Sequence, residues 1–354
     1  MQQNTVIGVD LAKASFQIHK ATMVGRMIKS VKLSRQKFLE FLAKEERTTI
    51  FMEACGSSNF WARKAKKYGH EVKLIAPQYV TPYRKRHKTD AADAAAIVEA
   101  GTREHMNFVP IKTVGQQDLQ SIRRIRQLEV ETRTALMNQT RGLLAEYGIA
   151  IPKGHAALRD ALIECCIEGD GEESVHDLTP QMKQLLVGLQ SRLRGIDERV
   201  TEFDKQLERA AQADERCMRI MTIPGVGPVT ATAIISQVGD AREFKSARQL
   251  AAWMGLTPKQ HSTGGKVTTL GISKAGNKDL RTLLIHGGRA VMMNPGKKKD
   301  KRSEWAVSLK ERVGMNKAAV AMAHKNVRTI YALLRNGTEF NDKYKPRLPI
   351  CKGA

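Results

Sequence analysis

Cysteine is scarce in this sequence and poorly placed for cross-linking. The five cysteines, Cys55, Cys165, Cys166, Cys217 and Cys351, are odd in number and nowhere take a C-x-x-C spacing. That argues against a disulfide scaffold and a thiolate zinc site and for reduced thiols. Aromatic residues make up only 5% of the chain, and no apolar run approaches the ~20 residues of a bilayer-crossing helix. The opening M-Q-Q-N-T-V-I-G-V-D enters a strand pattern directly, without the apolar core of a signal peptide. A cytoplasmic protein with no membrane partner is therefore expected. Acidic residues are the other shortage: 36 Asp+Glu face 59 Lys+Arg, a net charge of +23. An excess that large implies a polyanionic partner, nucleic acid before any anionic surface.

What is present reads as two kinds of architecture, α/β first and then mainly α, in a chain of 354 residues that can hold two or three domains. Alternating apolar residues predict strands over 4–10, 15–20 and 24–33, a three-stranded antiparallel meander. Ser34 is placed to cap a helix carrying Phe38, Leu39, Phe41 and Leu42. A strand over 48–53, a helix near 57–68 and a strand over 72–76 follow. Meander, helix, strand, helix, strand is the order of an RNase H-like domain, expected over 1–112. From 113 to 215 the pattern is helical. Met182, Leu186, Leu189, Leu193, Ile196, Val200, Phe203 and Leu207 alternate four- and three-residue steps, a heptad seam. That seam could pair with the weaker stripe Leu119, Ile122, Ile125, Leu128, Leu136 and Leu143, or hold two protomers together as a coiled coil. The acidic stretch 168–177 reads as the loop between helices. A third domain, mainly helical, is expected over 216–336, and 337–354 as a tail. Trp61 and Trp253 fall in apolar stripes and are expected in the core.

The stretch K-T-D-A-A-D-A sets Asp90 and Asp93 three residues apart, so on a helix the two carboxylates are neighbours and repel. Asp10 ends the first strand and Glu53 the fourth, which lie side by side in a meander-plus-crossover sheet. Four convergent carboxylates cannot all ionise without a counter-charge. Two Mg²⁺ ions ~3.5–4 Å apart would supply it, with Mn²⁺ able to substitute, and would suit phosphodiester chemistry. The basic residues Arg84, Lys85, Arg86 and Lys88 precede the acidic helix and are expected to hold a nucleic-acid backbone beside the metals. Gly225 and Gly227 in I-P-G-V-G-P resemble a helix-hairpin-helix turn that cradles a phosphate at a helix N-terminus. Lys266, Lys274, Asn277 and Arg281 are expected as phosphate contacts, the last three on one helical side.

G-V-D-L-A-K (8–13), M-E-A-C-G (52–56) and K-T-D-A-A-D-A (88–94) resemble the signature of the DEDD recombinases of insertion sequences. That family includes the Piv invertases and the bridge-RNA-guided recombinases. I-P-G-V-G and H-S-T-G-G-K…G-I-S-K-A-G-N-K-D-L-R follow in the order of its C-terminal domain, so the likeness spans nearly the whole chain. The resemblance implies a RuvC-like N-terminal domain, a coiled coil and a C-terminal domain with a nucleophilic serine. It further implies that Ser262 attacks the scissile phosphate to form a phosphoserine–DNA intermediate, in a composite site with the carboxylates. The partners it implies are donor and target DNA, a structured guide RNA, and other copies of the chain as a dimer or tetramer. Ser262 reads as lying in a flexible turn near Lys259, His261, Lys266 and Lys274, and a serine hydroxyl needs a metal or base to activate it. Many members of the family place the serine directly before glycine, whereas Thr263 intervenes here, leaving Thr263 and Ser273 as alternatives. A junction-resolving nuclease using water, and a non-catalytic nucleic-acid scaffold, are the rival readings.

Overall fold

The alternation at the N-terminus folds into a mixed sheet. The computed structural model describes residues 5–84, 89–166, 178–264, 266–293 and 301–341, in two units, Met1–Val114 and Gly115–Ala354. In the first unit, β1 (Thr5–Leu11), β2 (Ser15–Thr22) and β3 (Met27–Ser34) form the expected antiparallel meander. The Ser34 hydroxyl accepts from the Lys37 amide and starts α1 (Arg35–Lys44), which crosses over so that β4 (Thr49–Glu53) runs parallel to β1. Next come α2 (Ser58–Lys67), β5 (Glu71–Ile75), the short α3 (Pro77–Val80), α4 (Asp90–Gly101) and β6 (Phe108–Val109). The sheet order is β3-β2-β1-β4-β5-β6, the arrangement of an RNase H-like domain with one short added edge strand. Trp61 is buried as expected, meeting Phe16 and Phe38 edge-on with centroids 4.8 and 5.5 Å away.

Two glycines let α4 lie against the sheet. A Cβ on Gly8 would meet the carbonyl oxygen of Ala94 and come 2.6 Å from Val98 Cγ2. A Cβ on Gly101, at the other end of the helix, would run into the Phe51 ring. The glycine of G-V-D therefore sets how near α4 can come to β1. Gly8→Ala is expected to lower unfolding free energy by about 2–3 kcal/mol, the cost of overpacking against backbone that cannot step aside. Denaturant unfolding would measure it, and a change under ~0.5 kcal/mol would mean that α4 can back away without loss.

The second unit is helical apart from one hairpin. It contains α5 (Val114–Ala145), which begins at the boundary, α6 (His155–Cys166), α7 (Pro180–Gln212), α8 (Glu215–Met221), α9 (Pro228–Val238) and α10 (Ala247–Trp253). The hairpin β7 (Pro258–Thr263) and β8 (Lys266–Ile272) leads to α11 (Lys278–Met293), α12 (Lys301–Val313) and α13 (Met315–Asn336). Met182, Leu186, Leu193, Ile196 and Val200 of the α7 seam share a core with Leu136 and Leu144 of α5 and Leu158 and Leu162 of α6. Arg126–Asp204 at 2.5 Å and Arg133–Asp197 at 2.8 Å fix α5 antiparallel to α7. Of the two pairings open to the seam, the chain thus shows the internal one. The seam is covered within a single copy, and a second copy held through it would have to replace α5. The weaker stripe is used only in part, because Ile125 and Leu128 remain exposed. Trp253 packs edge-on against Phe244 beside the largest core of this unit. The expected loop at 168–177 and most of the expected tail lie outside the described residues.

Candidate active site

The register of the parallel pair builds the site. Val9 pairs with Met52, so Asp10 and Glu53 stand next along adjacent parallel strands, on the same face at the C-terminal edge. Asp10 is two residues beyond Gly8 and therefore faces the side on which α4 packs. Because Ala94 lies against Gly8, Asp93 and, one turn earlier, Asp90 are carried to the same edge. Thr89 caps α4 by accepting from the Ala92 amide, which fixes that first turn. The electrostatics agree with this geometry. Burial pushes the Asp10 carboxyl up from its ordinary value, and the negative charges of Asp93, Asp90 and Glu53 push it further, against a smaller pull from Arg84.

Cationic side chains now occupy the space between these acids. Arg84 sets Nη2 2.7 Å from Glu53 Oε2 and Nε 3.2 Å from Asp93 Oδ1. The second contact is ionic only, since the buried Nε has no aligned hydrogen-bond acceptor. Lys32 on β3 donates to Asp90 Oδ2 at 2.8 Å and draws that carboxyl below its usual range. Among the described residues no three acidic, histidine or cysteine side chains close into a finished metal shell. Arg84 is therefore turned onto the carboxylates, not left open for a phosphate as the sequence led us to expect. Lys85, Arg86 and Lys88 lie outside the described residues. Lys32 and the bridging role of Arg84 were not visible in sequence, because each acts across a tertiary contact with no local spacing rule.

The C-terminal candidates separate by burial. Ser262 is not in a turn: it is the penultimate residue of β7, in an exposed strand, paired in register with Val267. Its Oγ accepts from Gln260 Nε2 at 3.0 Å, and strand alternation puts Lys259, His261 and Thr263 on the opposite face. Lys266 enters the hairpin opposite Thr263. Ser273, the other alternative, donates its amide to the Thr257 carbonyl beyond the hairpin. Lys274, Asn277 and Arg281 do not share a helix face, since α11 begins only at Lys278. Lys274 is exposed and holds a left-handed backbone at φ 55°. Asn277 is turned inward, accepting from the Leu280 amide at 3.0 Å and donating to Gln237 Oε1. Arg281 is buried, with Nη1 donating to the Met254 carbonyl at 2.9 Å, and so ties α11 to the end of α10. Gly225 has φ +83°, and its Cβ would sit 2.6 Å from the Gly287 carbonyl, so close backbone packing on α11 explains the glycine without a phosphate. Gly227 caps α9 with open space before it.

Fold and site together define a carboxylate-bearing, RNase H-like enzyme of nucleic acid. Residues 7–149 match the family model described as a transposase with a DEDD domain of the IS110 type. Residues 217–302 match the transposase IS116/IS110/IS902 family. A probable family 20 transposase of Pseudomonas aeruginosa is 43% identical over 94% of this chain and 97% of its own length. The transposase for insertion sequence element IS1111A of Coxiella burnetii is also 43% identical, over 94% of this chain and 90% of its own. The pilin gene-inverting protein of Moraxella lacunata is 24% identical over 96% of this chain and 98% of its own. The chain belongs to the IS110/IS116 family of insertion-sequence transposases, enzymes that cleave and rejoin DNA. No helix among the described residues is long and apolar enough to cross a membrane.

A DEDD domain implies a divalent cation, and these residues fit one. The donors are all carboxylate oxygens, the set preferred by hard cations, and Asp10 is burdened by negative charge that a cation would relieve. Arg84 serves as the counter-charge in its place, so Arg84→Ala is expected to raise the affinity for Mn²⁺ at least roughly tenfold, since a unit charge and a divalent ion about 4 Å apart repel by about 2 kcal/mol even in bulk water. The dependence of melting temperature on Mn²⁺ concentration reads this without turnover. An unchanged dependence would mean that the guanidinium does not compete.

Proposed function

We propose that this transposase excises and inserts its DNA through a composite of Asp10, Glu53, Asp90 and Asp93 with Ser262 as nucleophile. The meeting of the four acids at one sheet edge carries the proposal, together with relatives that are transposases along nearly their whole length. The carboxylates hold Mg²⁺, one ion or two, which supplies Lewis-acid stabilisation to the phosphate oxygens. Ser262 Oγ attacks the scissile phosphorus, forming the Oγ–P bond as the P–O bond to the leaving sugar breaks. The leaving hydroxyl takes a proton, and the serine's proton goes to a base outside β7, because its partner Gln260 is a donor and Lys259 and His261 face the other side of the strand. Attack by a new sugar hydroxyl on the phosphoserine reverses these bonds and joins the strands without an external energy source.

In this reading 1–112 is the RuvC-like domain, 113–215 the helical middle and 216–336 the serine-bearing domain. Donor and target DNA are read through a structured guide RNA, and the working unit is a dimer or tetramer. The test incubates the protein and the element's transcript with its flanking DNA and a divalent cation. Two products are sought: the recombined junction and a protein–DNA adduct that survives denaturation. Junctions without any trapped adduct would sink the serine chemistry in favour of metal-activated water. Junctions without the transcript would remove the guide.

A further inference from the structure

Positive charge collects where α12 crosses α13. Lys325 sets its ammonium 4.0 Å above the Trp305 ring. Arg302 donates from Nη1 to Asn326 Oδ1 at 3.0 Å and from Nη2 to Thr329 Oγ1 at 2.7 Å, and stacks 4.9 Å from the Phe340 ring centroid. Its place is firmly set, because Asn326 is fully buried and donates to the Pro224 carbonyl at 2.9 Å, at the turn before α9. Arg328 lies three residues beyond Lys325, hence on the same face of α13, and is exposed. Among the described residues neither Lys325 nor Arg328 has a carboxylate partner. Burial and the charge of Arg302 hold the Lys325 ammonium below the usual lysine range. Like charges at this spacing destabilise a helix, and half-burying one adds to the penalty. Cations interleaved with aromatic rings match a polyanion that offers phosphates along an extended backbone.

We propose that the α12–α13 crossing binds the phosphodiester backbone of duplex DNA, with Lys325 and Arg328 as contacts and Arg302 as a fixed cation beside them. The inference rests on the family reading that this chain handles DNA, and it adds a surface that includes neither the carboxylates nor Ser262. Contacts of this kind hold register and add affinity without reading sequence.

The experiment is a salt titration of binding to a short labelled duplex by fluorescence anisotropy, with the full chain and matched variants. Lys325→Gln and Arg328→Gln are each expected to lower the slope of log affinity against log salt by about 1, whatever the duplex sequence. Lys325→Arg is expected to keep the wild-type slope, because it keeps the charge and the contact with Trp305. Should Lys325→Gln unfold, the exposed Arg328 carries the test alone. A wild-type slope in both variants overturns the proposal. So does an equal drop for Lys310→Gln elsewhere on α12, which would show only a loss of net charge. A drop seen with an RNA probe and not with duplex DNA also overturns it. Wild-type protein that binds no duplex even with the element's transcript present overturns the proposed function along with this surface.

Discussion

Asp10→Asn is expected to abolish junction formation, by on the order of 10³-fold or more, while leaving duplex binding intact. The magnitude follows from the worth of cation-held charge stabilisation, several kcal/mol, at a factor of ten for each 1.36 or about 1.4 kcal/mol. Asparagine keeps the shape of the side chain and removes the charge that a divalent cation needs. The same substitution should stabilise the metal-free protein at neutral pH. Burial and three neighbouring acids raise the Asp10 carboxyl above its ordinary value of 3.8. A carboxyl raised by folding binds a proton more tightly in the folded state, so stability falls as pH climbs from the ordinary value through the raised one. Above that window the penalty is complete; below it, no penalty exists. Asparagine removes the penalty, so the variant should melt higher than wild type at neutral pH, and the gap should close as pH falls toward 3.8. Thermal melts in the presence of a chelator, at acid and neutral pH, check the sign. A variant that recombines normally would remove Asp10 from the chemistry.

Much of this site was legible because β-structure writes itself in alternation. The meander, the crossover to β4 and the acids at or next to the ends of β1 and β4 all follow from apolar spacing and strand ends, and the structure pairs those strands accordingly. Asp90 and Asp93 were readable as neighbours for the same kind of reason, a fixed helical spacing. What the sequence could not show was burial. Arg281, Asn277 and Gly225 have the chemistry of phosphate contacts, yet a carbonyl, a capping amide and a facing backbone already explain them. Nor could the spacing of the α7 seam name its partner, since an apolar stripe fits any complementary helix. The charges that bear on that choice, Arg126 and Arg133 facing Asp204 and Asp197, are more than sixty residues apart in sequence. Arg84 shows the same limit at the active edge: its type suggested phosphate, and its position made it a counter-ion.

Ser262→Ala is expected to abolish both the recombined junction and the denaturation-resistant adduct, with DNA binding unchanged. Alanine offers no oxygen to phosphorus, and the nearest hydroxyl in sequence cannot take over by a small shift. Thr263 is on the other face of β7, so presenting it to the same phosphate means slipping the strand by one residue, which the pairing of β7 with β8 resists. Ser262 itself is exposed near the strand end, with an Oγ oriented by Gln260. That hydrogen bond draws electron density from the oxygen, so it serves position and not activation. Gln260→Ala is therefore expected to reduce junction formation without abolishing it, whereas Ser262→Ala leaves nothing to position. A hydrogen-bonded strand also suits a nucleophile better than the flexible turn suggested by S-T-G-G-K, because catalysis gains from holding the attacking atom in place. If Ser262→Ala still recombines and Thr263→Val does not, the nucleophile is Thr263 and the register of the hairpin must differ in the working complex. If both recombine while Asp10→Asn fails, the carboxylate edge cuts with water, and the family's rejoining step needs another hydroxyl.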